Sequence, residues 1–191
     1  MIKFENYLFF FLSKNSITMA YILDTTHTTI VFPDTPLIEP DVIHTIMGEK
    51  DYVLDKEVYY YKEKNLTDEI MSVCDITSKF LNEQKIEHNK DIWYMDLVRY
   101  KVDNSGPVDS GLVWHYENTN YPDLITVLCY LRKDESIKNG NLLYKDKSNN
   151  EKIIHISTGT TIIMDGRVEH LPEEVSGSGC RDLIIVSFKI H

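Results

Sequence analysis

The feature that most constrains this chain is a series of short apolar runs after residue 92, separated by turn-forming residues. IWYMDLVRYKV (92–102) is followed, across the turn-rich VDNSGPVDSG, by LVWHY (112–116), LITVLCYL (124–131), GNLLYK (140–145), KIIHI (152–156), TTIIM (160–164) and DLIIVSFKI (182–190). β-Branched and aromatic runs bounded by Gly, Pro, Asn and Asp read as strands. Six or seven of them with short connections imply an antiparallel sandwich or small barrel, not alternating β and α units.

Upstream the pattern is sparser. Residues 28–32 read as a short strand ahead of PDTPLIEPD, and residues 52–62 read as extended with LDKE as a turn. Leu66, Ile70, Val73, Cys74, Thr77, Phe80 and Leu81 advance by threes and fours, the spacing of one apolar helix stripe. Asn65 and Asp68 supply its N-terminal cap and an acidic third position. Such a stripe must be buried, so the helix is expected to cover a sheet face. The apolar patch at 7–12 follows only Lys3, stands beside Glu5 and is short for a signal core, so it reads as an aromatic strand packed on the domain. Met19 is an alternative start. No linker or repeat divides the chain. The expectation is one domain over 1–191, with N-terminal strands and a supporting helix in 1–90 and the core in 91–191.

Composition narrows the function. The 191 residues are 42% apolar with eight Gly and six Pro, which excludes collagenous and Pro/Gly-rich disordered chains. Surface scaling lets a chain of this size bury about 70% of its unfolded surface. Thirty acidic against twenty basic residues give a net charge of −10, a field that repels a phosphate backbone and suits a basic peptide. No run of 18 apolar residues crosses a membrane. Three scattered cysteines make neither a disulfide scaffold nor a compact zinc module and favour a reducing compartment. Cytoplasmic placement is the expectation. The signatures of phosphate loops, zinc-protease helices and serine-hydrolase elbows are absent.

The chemistry gathers around Trp114-His115-Tyr116-Glu117, His170 and Arg181. Residues two apart on a strand share a side, so His115 and Glu117 can converge on one ion. His170, returning from another strand, completes a two-histidine, one-carboxylate face with open positions, the arrangement of non-haem Fe(II) oxygenases. Arg181 has a planar fork suited to a carboxylate, and Tyr100 a hydroxyl that donates one more bond. Taken alone, His-x-Glu with a distant His also occurs by chance in exposed strands, Glu117 also reads as a solvated carboxylate, and Tyr100 also reads as a buried sheet aromatic.

The order of these passages resembles the iron(II)- and 2-oxoglutarate-dependent dioxygenase family, especially its prolyl-hydroxylase-like branch. It is carried by DLVRYKVDNSG, WHYE, ITVLCYL, GNLLY and GTTIIMDGRVEHLPEEVSGSGCRDLIIVSF, about half the chain, with 55 positions from His115 to His170 and 11 more to Arg181. The resemblance implies a double-stranded β-helix, or jelly roll, that is mainly β with flanking helices. It implies Fe(II) on His115, Glu117 and His170, 2-oxoglutarate as cosubstrate on Arg181 and Tyr100, and molecular oxygen as co-reactant. Hydroxylation, or demethylation, of a protein or peptide side chain is the implied outcome. The departure is Glu117, where the family has Asp; the extra methylene moves the carboxylate by about 1.5 Å. A noncatalytic jelly-roll binding module, and an interaction protein using Tyr59, Tyr60 and Tyr61, are the alternatives.

Other residues read as structural. Cys129 belongs to a core run, and Cys180 lacks an activating partner. His155 reads as a strand residue; His27, His44 and His88 show no persuasive partners, and His191 reads as solvent-facing. Asp165 and Arg167 flank Gly166 and read as a turn with a local salt bridge or a contact behind the site. Trp114 is expected to pack beneath it.

Overall fold

In the computed structural model, which describes residues 8–13, 16–24, 29–32, 36–38, 52–55, 58–61, 68–90, 92–104, 106–108, 112–117 and 124–190, the apolar runs pair into a large antiparallel sheet. Across it lie β1 (Leu8–Ser13), β2 (Ser16–Asp24), β3 (Thr29–Phe32), β11 (Thr161–Asp165), β7 (Leu124–Lys133), β13 (Val175–Lys189), β6 (Ile92–Asp103), β5 (Val58–Tyr61) and β4 (Tyr52–Asp55). A smaller sheet contains β10 (Glu151–Ile154), β9 (Leu142–Lys145) and β12 (His170–Pro172). β8 (Ile137–Asn139) pairs with Val175–Gly177 at the start of β13, whereas the rest of β13 lies between β6 and β7. The layers make a double-stranded β-helix with a flanking helix.

The central strands are apolar without strict alternation because both of their faces are buried. Alternate residues enter two clusters. Leu97, Val127, Cys129, Ile163, Ile184 and Val186 pack on one side with α1 (Asp68–Glu83), which contributes Val73, Cys74, Phe80 and Leu81. Val98, Tyr100, Leu128, Tyr130, Ile162 and Leu183 point the other way, toward Leu142 and Tyr144 of the smaller sheet. Burying each large side chain of the helix stripe contributes about 1.5 to 3 kcal/mol. The helix therefore covers the back of the sheet and leaves the inter-sheet side for the site.

The expected strands at 28–32, 92–102, 124–131, 160–164 and 182–190 are present, as is a 52–61 hairpin and a strand over most of 7–12. LVWHY is not a strand. It carries only a single bridge at His115, and its apolar start does not signify burial, since Leu112 is 41% and Val113 75% exposed. Among the described residues from 92 onward there are eight strands, not six or seven, because β8 and β12 carry no run of their own in the sequence; upstream, β2 is likewise an addition. β8 and β12 have three residues each, too short for periodicity to register. Residues 62–67, with the proposed cap at Asn65, and His27, His44 and His191 lie outside the described residues, as do the side chains of Tyr59, Tyr60 and Tyr61.

Candidate active site

Strand parity builds the site. Val98 and Tyr100 of β6, Leu128 and Tyr130 of β7, and Leu183 and Ile185 of β13 face a cavity of about 400 Å³ between the two sheets. His115 and Glu117 reach it from the irregular segment after β6, and His170 reaches it from β12.

His115 and His170 come from segments 55 residues apart yet are backbone partners: His115 N–H donates to His170 C=O at 3.0 Å, and His170 N–H donates back at 2.9 Å. Their rings lie 4.4 Å apart, tilted by 52°. Each ring is held by the same local device. His115 Nδ1 bonds the Val113 carbonyl at 2.8 Å and His170 Nδ1 bonds the Val168 carbonyl at 3.0 Å. A carbonyl only accepts, so Nδ1 of each ring carries the proton and Nε2 is left for another partner. Burial, with the neighbouring His170, holds His115 below the ordinary imidazole range, outweighing the Val113 bond.

Glu117 is not a solvated carboxylate: its side chain is 9% exposed, and Oε1 stands 3.3 Å from His170 Nε2. With Nδ1 of His170 already a donor, Nε2 and this oxygen need a positive charge between them, either a proton or a metal cation. Neutral imidazole nitrogens beside a carboxylate are a suitable donor set for a first-row divalent metal. Among the described residues, no group of three His, Cys, Asp or Glu side chains is drawn together tightly enough to hold an ion as placed. The residues meet pairwise, His170 with each of the others.

Arg181 is fully buried. Its Nη1 donates to Gly140 C=O at 2.6 Å, while Nε and Nη2 have no hydrogen-bond partner. The guanidinium stacks 4.0 Å from the centre of the Tyr100 ring. Arg181 is not on the described cavity wall; Tyr100 and Tyr130, which are, lie beside it. Lys133 sits across from Arg181 on β7, its ammonium pushed down by burial and by the Arg181 charge. An always-charged guanidinium with two idle donors is costly to bury without an anion, so this end of the cavity is suited to a carboxylate. Gly140 permits the approach: at φ +69°, its missing Cβ would stand 3.2 Å from Arg181 Nη1.

Tyr130 was not singled out by the sequence, because in LITVLCYL apolar residues fall on both faces and no alternation marks the cavity side. Burial pushes its phenol up to about 12, against the opposing pull of Arg181, so it remains an O–H donor at neutral pH. Asp165 and Arg167 do form a local ion pair, at 2.6 Å. Trp114 is half-buried, with Lys145 Nζ 4.7 Å from its ring centre. His155 is exposed just beyond β10 and Cys129 is core. His88 departs from expectation: it is buried, with Nε2 2.8 Å from Ser78 Oγ and Nδ1 3.0 Å from the Ile86 carbonyl. Its partner is ten residues earlier, on α1, a separation that sequence spacing does not flag.

No protein-family model matches the chain, and no curated protein matches it. Solved structures do. An oxidoreductase of the 2OG-Fe(II) oxygenase family from Burkholderia pseudomallei superposes with a TM-score of 0.69 at 15% identity, covering 85% of this chain and 84% of its own. HygX from Streptomyces hygroscopicus, with nickel and 2-oxoglutarate bound, gives 0.62 at 12% identity over 86% and 84%. A Pseudomonas putida prolyl-4-hydroxylase gives 0.58 at 11% identity over 87% and 94%. At these identities the likeness establishes a shared fold.

Proposed function

We infer that the chain is an iron(II)- and 2-oxoglutarate-dependent oxygenase, coupling oxidative decarboxylation of 2-oxoglutarate to hydroxylation of a second substrate, with a protein or peptide side chain as the leading class. The observation that carries this reading is the meeting, in one cavity, of two histidines whose Nδ1 atoms are already bonded to carbonyls and of the buried Glu117 carboxylate, 3.3 Å from His170 Nε2, close to a buried arginine with idle donors. His115, Glu117 and His170 would hold Fe(II), which when bound supplies the activation of oxygen. Arg181 would meet the distal carboxylate of 2-oxoglutarate through Nε and Nη2. Tyr100 fixes the plane of that guanidinium by stacking on it, and the Tyr130 hydroxyl offers a donor from the wall. Val98, Leu128, Leu183 and Ile185 make an apolar stretch of the wall that would limit water at the reacting position.

A second reading, a jelly-roll module that binds an anion without turnover, is favoured by the absence of an assembled three-residue ion cluster among the described residues. Anaerobic titration with Fe(II) and then 2-oxoglutarate, followed by succinate measurement under oxygen, separates the two. One metal per chain and metal-dependent succinate formation are expected for the enzyme. Anion binding without metal binding selects the module and overturns the first reading.

A further inference from the structure

The two histidines share a support on the far side of the smaller sheet. Across that sheet His115 bridges His170, and His170 lies opposite Tyr144. This row faces inward: both histidines line the cavity, and Tyr144 belongs to the inter-sheet cluster. Successive residues face opposite sides of a sheet, so Trp114, Glu169 and Lys145, each one position from a member of the row, belong to the outer face. There the Lys145 ammonium donates to Glu169 Oε2 at 2.8 Å and stands 4.7 Å from the centre of the Trp114 ring. The backbone repeats the first link, Lys145 N–H donating to Glu169 C=O at 2.9 Å. One side chain of β9 therefore holds the residue that precedes each histidine. Lys145 is not among the residues lining the cavity, so it acts there through the histidines.

We propose that Lys145 is a positioning residue that clasps the His115 segment to β12 and thereby sets the spacing of the two imidazoles. The segment 112–117 is not a strand and meets β12 through a single bridge. One bridge fixes a point but not the tilt of the segment about it, and the contact at Trp114 supplies a second point. The ammonium suits this place because one compact charge with three donors serves a carboxylate and a ring face together. The Lys145 and Glu169 side chains are only 21% and 23% exposed, so their pairing is screened less than that of a surface pair. The clasp stands on these contacts alone; its consequence for a metal ion rests on the oxygenase reading.

Lys145→Met keeps the aliphatic stem and removes the charge, whereas Lys145→Arg keeps a charge able to lie over a ring. Amide hydrogen exchange of the metal-free full chain, read residue by residue by NMR, is expected to be about tenfold faster at His115 and His170 in Lys145→Met than in wild type, with the amides of β7 and β13 unchanged. Calorimetric titration with Ni(II) is expected to show about tenfold weaker binding in the same variant, the lower end of what loss of a supporting partner costs, and Lys145→Arg is expected to recover most of both. Trp114→Leu removes the ring, leaves the ion pair, and is expected to reproduce the exchange change even if Lys145→Met does not fold. Lys152→Met, on the neighbouring β10, is the control expected to match wild type. Wild-type exchange at both histidines in folded Lys145→Met or Trp114→Leu overturns the proposal. Acceleration spread evenly over both sheets also overturns it, as does unchanged Ni(II) affinity in Lys145→Met beside a wild type that binds the metal. Faster exchange at the two histidines in a chain whose wild type binds no Ni(II) leaves the clasp in place and removes the oxygenase reading instead.

Discussion

His115 and His170 exchange both of their backbone hydrogen bonds, at 3.0 and 2.9 Å, and this single bridge brings together two imidazoles from distant parts of the chain. Because each Nδ1 is occupied by a carbonyl two residues earlier, backbone geometry fixes which ring nitrogen is available for chemistry.

On the proposed ligand set, replacing either histidine removes one of three donors to the divalent ion. His115→Ala and His170→Ala are expected to lower Ni(II) affinity by at least about tenfold, the lower end of what loss of a supporting interaction at a metal site costs. Calorimetric titration of folded variants under anaerobic conditions measures this; wild-type affinity in both variants would reject the assignment.

Glu117 combines burial with a carboxylate one methylene longer than that of aspartate. Glu117→Ala is expected to abolish metal-dependent succinate formation. Glu117→Asp is expected to retain the fold with altered metal affinity or turnover, because its oxygens retract by about 1.5 Å. Full activity in the Ala variant would remove Glu117 from the ligand set.

Arg181 gives opposite expectations for stability and binding. Arg181→Met removes a buried charge with two idle donors, so the ligand-free chain is expected to hold or raise its Tm. The same variant is expected to lose about 2 to 5 kcal/mol of 2-oxoglutarate binding. Thermal unfolding with and without 2-oxoglutarate reads both, and an unchanged ligand-induced Tm shift would move the anion site elsewhere.

Tyr130 has a pH signature. Its folded phenol is raised to about 12 from the ordinary 10, so above pH 10 the unfolded chain releases this proton before the folded one does. That contribution to stability is present below pH 10 and is lost as pH rises toward 12. Tyr130→Phe is expected to flatten the alkaline decline in stability measured by urea unfolding between pH 9 and 11. An identical decline in wild type and variant would place the cause elsewhere.

Leu81 tests the helix that backs the sheet. It is fully buried, and Leu81→Ala is expected to cost about 2 to 5 kcal/mol through lost burial and the cavity left behind. Urea unfolding measures the loss, and a change within 0.5 kcal/mol, the scale of surface substitutions, would contradict the packing.

The sequence by itself determined the class of fold, because side-chain pattern is a local property. The runs at 92–102, 124–131 and 182–190 have β-branched and aromatic composition, and the stripe from Val73 to Leu81 has helical spacing; both survive into β6, β7, β13 and α1. It also indicated His115, Glu117, His170, Tyr100 and Arg181 as candidates, through their types and order. Only the tertiary structure decided which sheet face each strand turns inward, since in a run such as LITVLCYL both faces are apolar and parity has no visible origin. That choice put Tyr130 and Leu128 on the cavity and Cys129 against the helix. It also decided that Arg181 stacks on Tyr100 instead of standing on the described wall. These relations come from register between strands distant in sequence, where a shift of one residue turns every side chain to the other face.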